Sequence, residues 1–516
     1  MIQTIKIFPP IGIARLGNSR DGYFIGPERP DEVVTPAGGF RDGTGLKRQA
    51  ARFYLFAFDE NGHLVQEITS DDAEIKWTLH IANTKAADQF FHPKTAQNAP
   101  LRNAGFHDRN QLKLDPGPVS ISGVNSAFAD LAASRAAGNA RDIEVNQLFL
   151  DQPVRFVLGA IMTDDRGRLV ALGGLGESRS PVGMPLSSPG SDFADHDGWY
   201  DDVSDGRVSA TVTLADGSQP RVESAWLIVA PPKYAPGLHS IVSLYDTLLQ
   251  SAVDRGLMPN PVDAPNFKPS LVRDIQPILT RAANMRWVYN NGAPQFSSGA
   301  GFHHTLGQPA PAVVFGRISK PSAIAGNPGT GGSMPKMWSD LYPAGPNGTL
   351  TRIQYRMLEM WKNGTVDATP VPPDPDINPD GLTRAALDPC VGAAFFPGIE
   401  ASWRIRDVFP YLEPFRLNAD QLLPGDVTSQ MSLPWQSDFL DCAVEPGNAG
   451  TNLVWWPAQR PIAVLKSAGS SYIRWARMSD DPASPEMSVE DMITQWHKLG
   501  FVTEQANGRF EEETRP

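Results

Sequence analysis

Arg52-Phe-Tyr-Leu-Phe-Ala-Phe58, followed by Asp59-Glu-Asn-Gly62 and by His63 to Thr69, reads as a strand, a tight turn and a returning strand. Aromatic residues suit a pleated surface, and Asn-Gly tolerates the positive φ that a hairpin turn demands. The same pattern recurs as Val154 to Thr163, Asp164-Asp-Arg-Gly167 and Arg168 to Gly173. It appears a third time as Val208 to Leu214, Asp216-Gly217 and Val222 to Ala230. The three hairpins share neither period nor motif, so they are not a repeat array. They predict an α+β, β-rich fold with antiparallel sheets and hairpins in the N-terminal part.

Helical spacing comes later. Leu238 to Leu257 and Arg352 to Lys362 carry apolar residues every three to four positions, the second ending at Asn363-Gly364. Ser488 to Leu499 opens with a Ser-x-x-Asp cap and stops at Gly500. Ala325 to Pro335 is glycine-rich and Thr369 to Pro379 is proline-rich, both reading as turns. A boundary near 265 divides a β-rich part, 1–265, from a loop-rich part with a few helices, 266–516, and the two can share one core. A chain of 516 residues exceeds one ordinary domain of about 100–200 residues.

Composition excludes several classes. With 45 basic and 57 acidic residues, the chain lacks the positive surface that nucleic acid or anionic lipid needs. Apolar runs such as Ala225 to Pro232 are too short to span a bilayer, and Met1 to Arg15 contains no signal-peptide core. The expected location is the cytoplasm, or outside it by a route needing no conventional signal. Of nine histidines only His303 and His304 are adjacent, and no HxH, HxxxH or HExxH occurs, so no metal is expected. Gly173-Gly-Leu-Gly176 and Gly329-Thr-Gly-Gly332 are turn glycines rather than nucleotide loops, and no GxSxG elbow exists.

Asp195-His-Asp-Gly-Trp-Tyr-Asp-Asp-Val-Ser-Asp-Gly206 lacks calcium-loop spacing and reads as a solvated polar turn region at a site rim. There are two cysteines, Cys390 and Cys442, too few for a disulfide scaffold. Asp388-Pro-Cys-Val-Gly-Ala-Ala-Phe-Phe-Pro-Gly-Ile-Glu400 precedes Leu433-Pro-Trp-Gln-Ser-Asp-Phe-Leu-Asp-Cys442 and Val454-Trp-Trp-Pro-Ala-Gln-Arg-Pro461. Read from residues alone, these are loops turned by glycine and proline and filled by tryptophan.

Taken as ordered blocks, they resemble the cysteine tryptophylquinone-dependent amino-acid oxidases of the lysine ε-oxidase and glycine oxidase type (LodA-like). Pro10-Ile-Gly-Ile-Ala-Arg-Leu-Gly-Asn-Ser19, Tyr23-Phe-Ile-Gly-Pro-Glu28, Gly198 to Gly206, Ala230-Pro-Pro-Lys-Tyr-Ala-Pro-Gly237 and Phe395-Phe-Pro-Gly-Ile-Glu400 are similar to that family's sequences. So are the Pro-Trp-Gln block, the Trp-Trp-Pro block and the tail Trp496-His-Lys-Leu-Gly-Phe501, which together extend over almost the whole bacterial-type chain.

The resemblance implies a cofactor made from the protein itself, a tryptophan oxygenated to an ortho-quinone and joined to a cysteine sulfur. Carried over, the cysteine is Cys390 and the tryptophan Trp455, with Trp456 as the alternative; Cys442 is expected to be unmodified. The implied reaction is oxidative deamination of a small primary amine or amino acid, giving an aldehyde or oxo acid, ammonia and hydrogen peroxide. A flavoprotein maturation partner and a homo-oligomer are expected. Asp388 is the expected base, with Asp438 and Asp441 in reserve, and Arg404, Tyr200 and His304 are expected to bind substrate. Two positions depart from the family pattern: Ala386 stands where an aspartate is expected, and Asn418 where Asp-His is common. Two alternative functions are a binding or structural protein on the same fold and an enzyme acting on a carrier-bound or peptide amine.

Overall fold

The computed structural model describes residues 2–90, 99–186, 194–289, 311–321, 330–331, 349–370, 372, 376–392, 398–441, 458–466 and 471–516. Its centre is a 13-stranded sheet built entirely from the first 230 residues. The strands are β1 (Thr4–Phe8), β2 (Ile11–Arg15), β3 (Tyr23–Ile25), β4 (Arg48–Phe58), β5 (Leu64–Ile68), β6 (Ala73–Ala82) and β7 (Val119–Ser122). They continue with β8 (Ala140–Phe149), β9 (Gln152–Thr163), β10 (Leu169–Gly173), β11 (Ser204–Leu214), β12 (Val222–Glu223) and β13 (Ala225–Ala230). Along the main path the order is β8-β9-β10-β4-β2-β13-β11-β6-β7. The fold is α+β and β-rich.

The three hairpins form where their turns require. β4 pairs antiparallel with β5, β9 with β10, and β11 with β13. The third is shorter than its sequence suggests. Val222 and Glu223 leave it to pair in parallel with Ile5 and Lys6 of β1, and the hairpin partner begins at Ala225 opposite Val208.

Strand β2 matters most for function. All five of its residues are buried, and it runs parallel to β13 with Ile11 opposite Trp226 and Arg15 opposite Ala230. Both strands therefore deliver their following residues to the same end of the sheet.

The longer helices follow the sheet in sequence. Helix α1 (Leu244–Asp254) begins six residues later than apolar spacing suggests, because Ser243 and Asp246 form a reciprocal capping box that fixes the start. Helix α2 (Gln276–Asn284) follows a short π-helical stretch, and α3 (Arg352–Lys362) ends at Asn363 and Gly364 as its sequence indicates. Helix α4 (Pro379–Leu387) starts at the last residue of the proline-rich stretch, with Asn378 capping Gly381 N and Pro379 at the first helical position. Val489–Gln495 forms the C-terminal helix, capped by Ser488 and Asp491.

The main core runs from Ile5 to Phe510 and joins both halves of the chain. A second core packs Ile11, Ile13, Trp226 and Ile228 of the sheet against Leu244, Leu248, Leu387 and Ile405, and encloses Cys390. Among the described residues, no helix is long and apolar enough to cross a membrane.

The acidic stretch Asp195–Gly206 is not a solvated rim. Asp195, Asp201, Asp202 and Asp205 are all buried. Asp195 pairs with Arg102, and Asp201 with Lys85 at 2.7 Å. Asp205 accepts from Trp226 Nε1 at 2.8 Å and from the amide and hydroxyl of Thr428. Buried charges persist only when paired and hydrogen-bonded, and these carboxylates tie distant loops to the sheet.

Candidate active site

Cys390 lies just past the end of α4, in the second core, fully buried and free of any disulfide. Its backbone is laid against the start of α1. Leu244 N donates to Cys390 O at 3.1 Å, and Gly392 N to Val242 O at 3.0 Å. The approach is close enough that a Cβ on Gly392 would sit 1.7 Å from Ser243 O, so only glycine fits there.

Three segments distant in sequence, and Glu400 a few residues on, converge on this turn. Arg15, at the end of β2, donates Nη2 to the Cys390 sulfur at 3.6 Å and to Glu400 Oε1 at 2.7 Å. Its Nη1 donates to Pro231 O at 3.0 Å, the first residue beyond β13. Glu400 Oε2 accepts from Val391 N at 3.1 Å. On the other flank, Pro389 O accepts from Lys233 Nζ at 2.9 Å and from Gln459 Nε2 at 3.1 Å. The residues before and after Cys390 are thus each clamped, and the sulfur faces a guanidinium. The thiol donates to Ala386 O at 3.3 Å.

Burial pushes the Cys390 thiol well above its ordinary range and Glu400 adds to the rise, while Arg15 and Lys233 pull it down. The resting sulfur is a protonated thiol. Burial also lowers the Lys233 amine to about 7, helped by Arg15, so it changes charge near neutral pH. Half-buried His239 is held well below the ordinary imidazole value by desolvation and by the charges of Lys233 and Arg281, which keeps it neutral.

Asp388 is buried and closes α4. Its Oδ1 lies 3.2 Å from Arg281 Nη2 and its Oδ2 lies 3.4 Å from Arg384 Nε. Ser243 Oγ sits 2.9 Å from Asp388 Oδ1 and 3.0 Å from Asp246 Oδ2. A hydroxyl has one proton, so it can donate to only one of these carboxylates at a time. Burial raises Asp246, and the neighbouring Asp388 charge raises it further against the pull of Arg281. Arg281 faces both carboxylates, its Nη1 3.0 Å from Asp246 Oδ2 and its Nη2 3.2 Å from Asp388 Oδ1.

The other expected site residues are placed as follows. Arg404 is half-buried, its Nη1 bound to Asp88 at 3.2 Å and to Ser429 Oγ at 3.0 Å. Tyr200 is buried in the main core rather than with Cys390; its ring stacks on Phe156 and its hydroxyl donates to Glu177 at 3.2 Å. Asp438 is buried. Trp455, Trp456, His304 and Cys442 lie outside the described residues, as does the side chain of Asp441. Among the described residues, no group of three or more His, Cys, Asp or Glu side chains is arranged to hold a metal ion.

Comparison with known proteins decides the affiliation. Residues 8–229 match the family described as L-lysine epsilon oxidase N-terminal, and residues 346–458 match the L-lysine epsilon oxidase C-terminal domain. The chain belongs to the L-lysine ε-oxidase family. A relative of the family, the L-lysine 6-oxidase of Marinomonas mediterranea, is 27% identical over 539 aligned positions, covering 86% of this chain and 72% of that protein. Two crystal structures of the L-Lys ε-oxidase from the same organism share the fold. The Schiff base intermediate with L-Lys superimposes with a TM-score of 0.76 at 22% identity, covering 99% of this chain and 94% of that one. A second structure of that enzyme gives a TM-score of 0.75 over the same coverage.

Four of the family blocks visible in the sequence thus meet at Cys390. Arg15 belongs to Pro10–Ser19, Lys233 to Ala230–Gly237, Glu400 to Phe395–Glu400 and Gln459 to Val454–Pro461. Taken alone, the sequence assigns none of the four a role. Their presence inside the blocks was the available signal.

Proposed function

We propose that this chain is an amine-oxidising quinoprotein that deaminates a primary amine of an amino acid, using a cysteine tryptophylquinone formed from Cys390 and Trp455. Its family membership places it among oxidoreductases acting on an amine, and implies a protein-derived quinone. The observation carrying the finer reading is the convergence of four family blocks on one buried, unbridged thiol.

The described residues fit such a group. Cys390 has a sulfur facing a cation and no disulfide. Gln459, three residues past Trp456 in sequence, reaches the peptide just before Cys390 and keeps its own Oε1 without a partner among the described residues. Such a buried acceptor needs a donor nearby. When formed, the quinone supplies an electrophilic carbonyl and an electron sink that side chains lack.

The chain's own groups supply binding and proton handling. Asp388 is the proposed base, because Ser243 and Asp246 give it a route for the proton it accepts at Oδ1. Arg281 and Arg384 fix its orientation. Arg404 is the proposed carboxylate anchor, which requires it to exchange Asp88 for the substrate; His304 remains a further proposed contact, and Tyr200, enclosed in the main core, is not one. The products are an aldehyde or oxo acid, ammonia and hydrogen peroxide, and a flavoprotein is the proposed maturation partner.

Intact mass tests this reading. Two oxygens gained and four hydrogens lost raise the mass by about 28 Da. Cys390→Ala should remove the thioether and Cys442→Ala should retain it. An unchanged wild-type mass would instead favour a binding protein built on the family fold.

A further inference from the structure

We infer that Arg15, braced by Glu400, is the positioning residue for the Cys390 sulfur, holding it for thioether formation. This rests on the quinone reading above and extends it to a residue with no assigned part in the reaction. The geometry is a closed ring. Arg15 Nη2 reaches both the sulfur, at 3.6 Å, and Glu400 Oε1, at 2.7 Å, while Glu400 Oε2 holds the amide of Val391, the residue after Cys390. Arg15 and Glu400 side chains are 4% and 1% exposed, so water cannot substitute for either contact.

Stability does not explain the arrangement. A buried ion pair usually contributes little compared with well-packed apolar residues of the same size. A guanidinium aimed at sulfur has a chemical use instead. Forming the thioether breaks the S–H bond and one ring C–H bond and makes one S–C bond. Two protons leave with two electrons, which an oxidant of the flavin or dioxygen class accepts. The nucleophile is the thiolate, and burial with Glu400 makes that anion costly, while Arg15 and Lys233 offset the cost. The thiol proton now bound by Ala386 O is lost in this step. Arg15 is the donor that serves the sulfur before and after.

The test uses chain purified from cells that mature the wild type, unfolded and alkylated to count free thiols. Crosslinked wild type should show one reactive thiol, Cys442. In Arg15→Gln the loss of a cation in contact should cut the thiolate fraction about 10- to 1000-fold, leaving two thiols in most molecules. Arg15→Lys keeps the charge but cannot reach sulfur, Glu400 and Pro231 together, so its crosslinked fraction should be intermediate. That recovery is not expected of a merely structural residue. Wild-type crosslinking in Arg15→Gln overturns the inference alone, whereas an uncrosslinked wild type overturns the quinone reading and the inference with it. If Arg15→Gln does not fold, Arg15→Lys decides, and full crosslinking there overturns the positioning role.

Discussion

Replacing Glu400 by Gln removes one charge and almost no volume, which isolates the electrostatic content of the Arg15–Glu400 pair. Both partners are almost fully buried and 2.7 Å apart. Breaking such a pair by neutralising one member leaves an uncompensated buried charge, a loss of about 3–5 kcal/mol. The glutamine oxygen can still accept from Val391 N, so the backbone contact adds little to that loss. Arg15→Met combined with Glu400→Gln removes the stranded charge and should recover the stability to within about 1–2 kcal/mol of wild type. Urea unfolding followed by tryptophan fluorescence, with equal slopes for the three proteins, reads these differences directly. A single Glu400→Gln variant within about 1 kcal/mol of wild type would refute the claim that Arg15 depends on Glu400.

Lys233 gives a pH-dependent outcome. Its folded amine ionises near 7, below the ordinary lysine value of 10.5, so between those values the unfolded chain binds more protons and stability climbs with pH. Lys233→Met should be more stable than wild type at pH 6, with the gap narrowing toward pH 10 in parallel unfolding titrations. Asp388→Asn should retain the mass increase but lower kcat by about 100-fold or more, the range for loss of a general base; turnover at the wild-type rate in a stopped-flow or peroxide assay would remove it from the mechanism. Gly176→Ala places a Cβ 1.9 Å from Trp496 Cζ2 at a residue with φ +76°. Left-handed strain and overpacking together should lower stability by about 2–5 kcal/mol, measured as a shift in the urea midpoint.

Local signals were read correctly where the chain decides locally. The turn at Asp59–Gly62 and the stop at Asn363-Gly364 depend only on residues within a few positions. The start of α1 was displaced because apolar spacing continues through Leu238, Ile241 and Val242 into a buried loop, while the Ser243–Asp246 cap sets the boundary. Helix α4 is hidden by the prolines at its entry, since proline favours turns as readily as a first helical turn, and only the cap of Asn378 on Gly381 N marks its start. Val222 and Glu223 turned to β1, more than two hundred positions away, which no hairpin rule anticipates. The acidic stretch looked solvated because its cations, Lys85 and Arg102, lie about a hundred positions upstream. At the site, resemblance pointed to Cys390 and Asp388. Arg15, Lys233 and Glu400 acquire meaning only once β2 and β13 run side by side.

The ring of contacts about Cys390 also sets a timetable. Arg15 leaves the ribosome first, Lys233 about two hundred residues later, and Gln459 about two hundred after that. Until that last segment has emerged and docked, Pro389 lacks one of its two clamps. A nascent or truncated chain ending before 459 therefore offers any oxidising partner a cysteine without its assembled surroundings. On the proposed quinone reading, covalent maturation at this position would certify that these three segments have been made and folded together.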